Sequence, residues 1–317
     1  MLKSVNSDCG NFCSRASVLV QAGFNYEAAR DIRTARSLED AVRLSVINCL
    51  HYQLGWPLKK CLERTKMEID CAIPKGVLDA LARVGWRIAG AKLLDVGAGQ
   101  GGTVLESLSR GADAYGIEPG EEFRTVARSR LAAAGQDSGR ILSAAGESLP
   151  FPGETFDYLI SLQVLEHVPK PELVMKEMYR VLKPGGQCYI TCENYLSFRE
   201  PEYGVPWLPM LPKSLGAIYL RAIGRNPHFL EKYVHYSTYP QIWTSARRVG
   251  FQNVTLDEKL ERVKDPRAEK SRFEQFLALS AKVLPKSQKN VLISALVHLN
   301  EFWRAGVRVR LVKPCVA

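Results

Sequence analysis

Short, mostly apolar runs recur through the middle of the chain, each closed by glycine, proline or an acid, and longer amphipathic stretches separate them. Lys92 to Val96, Ala112 to Ile117, Phe156 to Ser161 and Gln187 to Thr191 read as strands buried on both faces. The first of these opens into a glycine turn that feeds a helix beginning near Thr103. KPGG, Lys183 to Gly186, reads as a turn between a helix and the Gln187 strand, since proline and glycine set turns without any chemistry. Gly250 to Leu256 and Val307 to Val312 read as two later strands. Strands alternating with helical stretches make this an α/β chain with a mostly parallel sheet. Before it, residues 14 to 75 read as helical, with Leu38, Val42, Val46, Ile47 and Leu50 at near helical spacing and Pro57 and Pro74 as interruptions.

The turn after the first strand carries the chemistry. KLLDVGAGQGG places Asp95 just ahead of Gly97, Gly99 and Gly101, with Ala98 between the first two. Glycine lacks Cβ, so the backbone can take unusual dihedrals there and lie directly against a ligand. A dinucleotide fingerprint would read G-x-G-x-x-G, whereas this turn reads G-x-G-x-G. The second strand ends in Glu118 and Pro119, and an acid at a strand tip can accept both hydroxyl hydrogen bonds of a ribose. Further on, SAAGESLPFPGETFDYLISLQVLEHVPKP and MYRVLKPGGQCYITCEN follow in order.

Together these segments, continuous from about Lys92 to Asn194, resemble the class I S-adenosylmethionine (SAM)-dependent methyltransferases, in the group that includes ubiquinone- and menaquinone-pathway enzymes. The resemblance implies a Rossmann-like, seven-stranded, mostly parallel sheet flanked by helices, with SAM as cofactor. It implies that Asp95, Gly97, Ala98, Gly99 and Gly101 hold the methionine end of SAM and that Glu118 and Pro119 hold the ribose. Gly146 and Glu147 would lie along the adenine, and Ser161 and Gln163 would border the cofactor near the reacting centre. Many relatives carry an aspartate where this chain has Ala145, which leaves adenine to backbone groups or Glu147. The expected organisation is a helical cap over residues 1–75 and a methyltransferase domain over 76–317. Within that domain, 195–243 is read as a substrate lid and 262–303 as a helical insertion before the last strand.

Little catalytic machinery is needed, because the sulfonium methyl is already activated and orientation alone supplies roughly 7 to 11 kcal/mol in good cases. A base matters only if the acceptor holds its proton, and His167 is the candidate for that role. No metal is required by this reading. The alternative for the same residues is a cation site: some methyltransferases that resemble this chain at E-x-x-E-H hold a divalent ion there, while here the motif is Gln163, Val164, Leu165, Glu166, His167. His228 or His235 could complete such a cluster.

Composition narrows the acceptor. Residues 76–257 carry no net charge, residues 1–75 carry +3 and residues 258–317 carry +7. A neutral core argues against nucleic acid on the active face. From Tyr195 to Trp243 stand ten of the chain's 28 aromatic residues, a composition that suits a cover over an apolar, ring-bearing or sugar acceptor. The expected reaction is therefore methyl transfer from SAM to a small-molecule, lipid-linked or sugar acceptor, on oxygen. The alternatives are an RNA or other nucleic-acid methyltransferase and a SAM-binding protein without turnover. No apolar run reaches the roughly 18 residues of a spanning helix, so a cytoplasmic protein is expected. The basic C-terminal segment reads first as a helix and strand covering the sheet, and alternatively as a peripheral membrane contact. Cys9 and Cys13 are read as free thiols, and Cys188 and Cys192 as core. Oligomeric state is not legible.

Overall fold

A computed structural model describes residues 31–255, 275 and 286–315, with the backbone alone over 286–294. The Cys9/Cys13 pair, the start of the helical lead, the end of the Gly250–Leu256 run and most of the 262–303 insertion lie outside the described residues. Seven strands form one sheet: β1 (Lys92–Val96), β2 (Asp113–Ile117), β3 (Ile141–Leu142), β4 (Phe156–Leu162), β5 (Leu182–Glu193), β8 (Gln252–Asn253) and β9 (Gly306–Val312). Their order is β3-β2-β1-β4-β5-β9-β8. The pairs β1–β2, β2–β3 and β4–β5 are parallel, and β9 runs antiparallel to both its neighbours. This is the expected mostly parallel α/β sheet. A separate ribbon pairs β6 (Arg199–Glu200) with β7 (Val205–Pro206).

The chain divides into two compact units, residues 1–143 with 220–229, and residues 144–219 with 230–317. In the first unit, helices α1 (Leu38–Ile47), α2 (Leu58–Ile69) and α3 (Ala72–Arg83) precede β1. Ser37 caps α1 by accepting from the Asp40 N–H, as a serine ahead of an amphipathic run should. Helices α4 (Gly102–Ser109) and α5 (Glu121–Ala133) follow β1 and β2. Leu93, Leu94, Val96, Val104, Ile117, Val126 and Leu131 are almost wholly buried and form this unit's core.

In the second unit, α6 (Pro171–Val181) leads into β5, and the expected turn at KPGG is corrected. The strand begins at Leu182, and Phe156 pairs with Leu182 while Tyr158 already pairs with Gln187, so Lys183 to Gly186 bulge out of the ladder. The bulge is held rather than looped: the Gly185 N–H donates to Lys313 O and the Lys313 N–H to Gly186 O, with Gly185 at φ +76°. Helices α7 (Lys213–Ala222) and α8 (His228–Lys232) arise from the expected lid, with residues 220–229 counted in the first unit, and α9 (Tyr239–Val249) follows them in the second. The long α10 (Lys286–Trp303) precedes β9. Cys188 and Cys192 are fully buried, as expected of core residues. Among the described residues no helix is long and apolar enough to cross a membrane.

Candidate functional site

In the first unit the sequence folds into a tight cradle between the tips of β1 and β2. Gly97, Gly99 and Gly101 have φ of +80°, +51° and +76°, a region L side chains rarely adopt, so the alternating glycines are required by the backbone path itself. Gly101 is also crowded: a Cβ there would lie 3.0 Å from the Ala127 Cβ. The Gly97 and Ala98 N–H groups both donate to Ile117 O, at 3.0 and 2.8 Å, which ties the turn to β2.

Glu118 closes the cradle. Its Oε2 accepts from the Gly99 N–H and its Oε1 from the Gly120 N–H, both at 2.8 Å, with the side chain 8% exposed. Burial raises its pKa, and the two backbone donors pull the other way. Each carboxylate oxygen retains a second acceptor site, so the group can hold the turn and receive hydroxyls together. Pro119 is exposed beside it. Asp95 is 2% exposed, and burial pushes its carboxyl up to about 8 against a hydrogen bond with Thr103, with Glu118 adding to the rise. Gln100 follows Gly99 with its Oε1 buried and without a hydrogen-bond partner among the described residues.

The second unit holds the remaining expected residues. Gly146 is buried and Glu147 half-buried, in a turn closed by the Ser148 N–H on Ala145 O. Ser161 is fully buried near the end of β4, with no partner for its Oγ among the described residues. Gln163 sits just past β4 with φ +57°, an uncommon conformation for a residue with a side chain, and such strain tends to collect at functional sites. Its N–H donates to Thr191 O at 2.8 Å and its amide Nε2 donates to Glu193. Glu193 ends β5, and burial with Glu202 nearby pushes its carboxyl up to about 7.

His167 closes a short 3-10 turn, Leu165–His167. Its Nδ1 lies 2.9 Å from Tyr233 O, so Nδ1 carries the proton and donates it, and burial lowers the ring's pKa. Its Nε2 lies 3.7 Å from Glu202 Oε1. Beside it, Glu166 is 0% exposed and neither carboxylate oxygen has a hydrogen-bond partner among the described residues. Burial holds its pKa well above the carboxylate range, with Glu202 and Glu193 adding to the rise. One ligating atom from each of Glu166, His167 and Glu202 lies within 4.8 Å of the others.

The cluster thus gains Glu202, which sequence reasoning did not name. His235 reaches this region through its backbone, its N–H donating to Glu166 O at 2.6 Å, while His228 belongs to the other unit. Glu193 could have been found, since it ends a strand whose carboxyl end faces the ligand crevice in open α/β sheets. Glu202 lies 35 residues beyond His167 in the chain and carries no local signal. Half of the ten aromatic residues between 195 and 243 are buried. Tyr195, Tyr203, Trp207, Phe229 and Tyr239 are buried, and Tyr195 stacks on Tyr236 at 4.4 Å between ring centres. Glu200 binds this base together, accepting from the Tyr195 hydroxyl at 3.1 Å and the Tyr203 N–H at 2.5 Å.

Residues 94–190 match a family model described as a methyltransferase domain. The chain is 36% identical to a ubiquinone biosynthesis O-methyltransferase of Pseudomonas putida over 178 residues, covering 54% of this chain and 70% of that protein. It is equally similar to the Pseudomonas entomophila protein of the same name over 160 residues, 48% of this chain and 64% of that protein. The chain thus spans about two thirds of the length of these relatives. Among solved structures it is similar to a SAM-dependent methyltransferase from Mesorhizobium loti (16% identity, 74% of this chain, 96% of that chain, TM-score 0.46). It is also similar to phosphoethanolamine N-methyltransferase 2 of Haemonchus contortus in complex with SAM (19%, 91% of this chain, 61% of that chain, TM-score 0.47).

Proposed function

This chain belongs to the class I SAM-dependent methyltransferases, and from that premise we propose that it moves the SAM methyl group to an oxygen of a small-molecule, lipid-linked or sugar acceptor. The observation that carries the reading is the Glu118 carboxylate drawn onto the Gly99 and Gly120 N–H groups, which fixes an acceptor of ribose hydroxyls against a turn that admits a ligand. In this reading Gly97, Ala98, Gly99 and Gly101 receive the methionine end, with Asp95 behind them. Glu118 and Pro119 take the ribose, Gly146 and Glu147 the adenine edge, and Ser161 and Gln163 border the reacting centre. The chemistry is an in-line displacement: the acceptor oxygen forms a bond to the methyl carbon as the carbon–sulfur bond breaks and the electron pair stays on sulfur. The protein's contribution is alignment and exclusion of water.

A hydroxyl acceptor must lose its proton, and in this reading His167 takes it on Nε2. The relatives' printed name, ubiquinone biosynthesis O-methyltransferase, supports oxygen as the acceptor atom. Incubation with methyl-labelled SAM and cell extract tests the reading. Label entering an organic-soluble small molecule supports it, label in nucleic acid or none anywhere overturns it.

A second reading of the catalytic device is favoured by Glu166. A fully buried carboxyl with no hydrogen-bond partner among the described residues is costly. A divalent cation held by Glu166, His167 and Glu202 would satisfy that carboxyl, and the donor set of two carboxylates and one imidazole suits such an ion. When bound, the cation would lower the pKa of an acceptor hydroxyl. Calorimetric titration of the pure protein with Mg2+ and Mn2+ tests it: heat lost in Glu166→Gln supports the cation, and no heat in the parent protein leaves His167 as the base.

A further inference from the structure

The glycines that let the turn over residues 97–101 form also leave it loose, because glycine takes positive and negative φ about equally readily and local sterics do not choose between them. Contacts from outside must hold such a turn in one shape. Within the first unit the peptide joining Gln100 to Gly101 is gripped at both ends: the Gly101 N–H donates to Ala98 O at 2.8 Å, and Gln100 O accepts from Arg130 Nη1 at 3.0 Å. Arg130 stands on α5 between Ala127 and Leu131 on one side and Gly102 on the other. A Cβ at Gly101 would meet the Ala127 Cβ at 3.0 Å and Leu131 Cδ1 at 3.5 Å, and a Cβ at Gly102 would lie 3.9 Å from Arg130 Nη1. The other end of the guanidinium reaches the helical lead, with Nη2 donating to Glu68 O near the end of α2 at 2.7 Å and to Cys71 Sγ at 3.2 Å. Arg130 is 6% exposed, and its partners among the described residues are two carbonyls and a thiol, with no carboxylate. Burying a guanidinium without a counter-charge is costly, and an apolar side chain would fill the same face of α5 without that penalty.

We propose that Arg130 is a positioning residue for the cofactor. By holding the Gln100 carbonyl back toward α5 and the end of α2, it fixes the Gln100–Gly101 peptide and so preorganises the part of the cradle that receives the methionine end of SAM. The inference rests on the reading that places that end against Gly97 to Gly101. Its action runs through Gln100 and Gly101, whereas the ribose is assigned to Glu118, which is tied to the turn by a separate bond to the Gly99 N–H. Loss of Arg130 should therefore weaken the hold on one end of the cofactor and spare the other.

Calorimetric titration of the full chain with two ligands tests this: SAM, and methylthioadenosine, which keeps the adenine, ribose and sulfur of SAM but lacks its amino-acid end. Arg130→Met keeps an apolar stem on the buried face of α5 and removes both donors. It is expected to bind SAM roughly tenfold more weakly, the effect of losing one hydrogen bond from a charged donor, and methylthioadenosine within about twofold of the parent. Arg130→Lys restores the charge and a single donor without the fork, and is expected to fall between parent and Arg130→Met for SAM. It carries the same comparison of the two ligands should Arg130→Met lose its circular dichroism. In the cofactor-free protein, amide exchange over residues 97–102 should be faster in both variants. The proposal is overturned if both variants bind SAM as the parent does. It is also overturned if the two ligands weaken together, which would make Arg130 a residue of general stability. A parent protein that binds no SAM would remove the cofactor site itself and this role with it, whereas a parent that binds SAM with unchanged variants removes the role of Arg130 alone.

Discussion

Glu118 holds the glycine turn and is proposed to hold the ribose as well, and that makes its substitutions informative. It accepts from the Gly99 and Gly120 N–H groups, so Glu118→Ala strands two backbone donors in a mostly buried place, each worth about 1–3 kcal/mol when left unsatisfied. Loss of the ribose acceptor adds to this, and SAM titration by calorimetry should show affinity falling by more than roughly a hundredfold, since two lost hydrogen bonds to a charged group are worth about 3 kcal/mol or more. Glu118→Gln keeps one amide oxygen as acceptor and should lie between parent and alanine variant in both melting temperature and affinity. Equal affinities for parent and alanine variant would remove Glu118 from the cofactor site. Gly116 is a neighbouring case of pure packing: a Cβ there would meet Ala98 at 2.7 Å and Val104 at 2.9 Å. Gly116→Val should therefore cost about 1–3 kcal/mol in denaturant unfolding, as overpacking does, and should disturb the cradle through Ala98.

Elements differed in how openly the sequence declared them. β1, β2, β4 and β9 were legible because each is a compact apolar run with clear ends, and the structure begins or ends them within a residue of the reading. The glycine cradle was legible for the same kind of reason, since positive φ at three alternating positions leaves glycine as the default. KPGG was not, because proline and glycine mark a local departure without saying whether the strand resumes through it. That depends on Lys313, which lies more than a hundred residues away. Glu202 was illegible likewise, since its approach to Glu166 and His167 comes from the path of the 195–243 segment. Of the ten aromatic residues of that segment five are buried, among them Tyr195, Tyr203 and Trp207. Gly216 shows this packing at element scale. Alanine is the better helix former by about 1 kcal/mol, but Gly216→Ala would drive a Cβ into Trp207. Denaturant unfolding should find the variant less stable by about 1 kcal/mol or more, against its helix propensity; a gain in stability would mean that Trp207 yields. Thr238, whose side chain accepts from the Gln241 N–H at the start of α9, should lose about 1 kcal/mol on change to alanine.

Across the molecule, several carboxyls are held above their ordinary range by burial, among them Asp95, Glu118, Glu166 and Glu193, and this sets how stability depends on pH. A carboxyl whose pKa is raised on folding binds more protons folded than unfolded over the interval between its two values. Stability then falls as pH rises through that interval, the reverse of the usual salt-bridged acid. For Asp95 the window runs from its ordinary value of 3.8 to about 8. The cofactor-free protein should therefore have its highest melting temperature on the acid side of neutrality, below which general acid unfolding takes over, and should lose stability steadily toward pH 8. Asp95→Asn removes one titrating group from a wholly buried position while keeping an acceptor for Thr103, so its melting temperature should decline less between pH 5.5 and 8, an interval inside that window. Parallel curves for parent and variant would show that Asp95 is ionised in the fold throughout, held there by interactions stronger than its burial. A steeper curve for the variant would reverse the sign of the argument altogether. SAM gives an independent check, because in the proposed site its sulfonium and ammonium would lie near Asp95 and Glu118 and favour their charged forms. With saturating cofactor the parent's decline toward pH 8 should flatten, and the flattening should be smaller in Asp95→Asn if that carboxylate is among the groups the cofactor's cations reach.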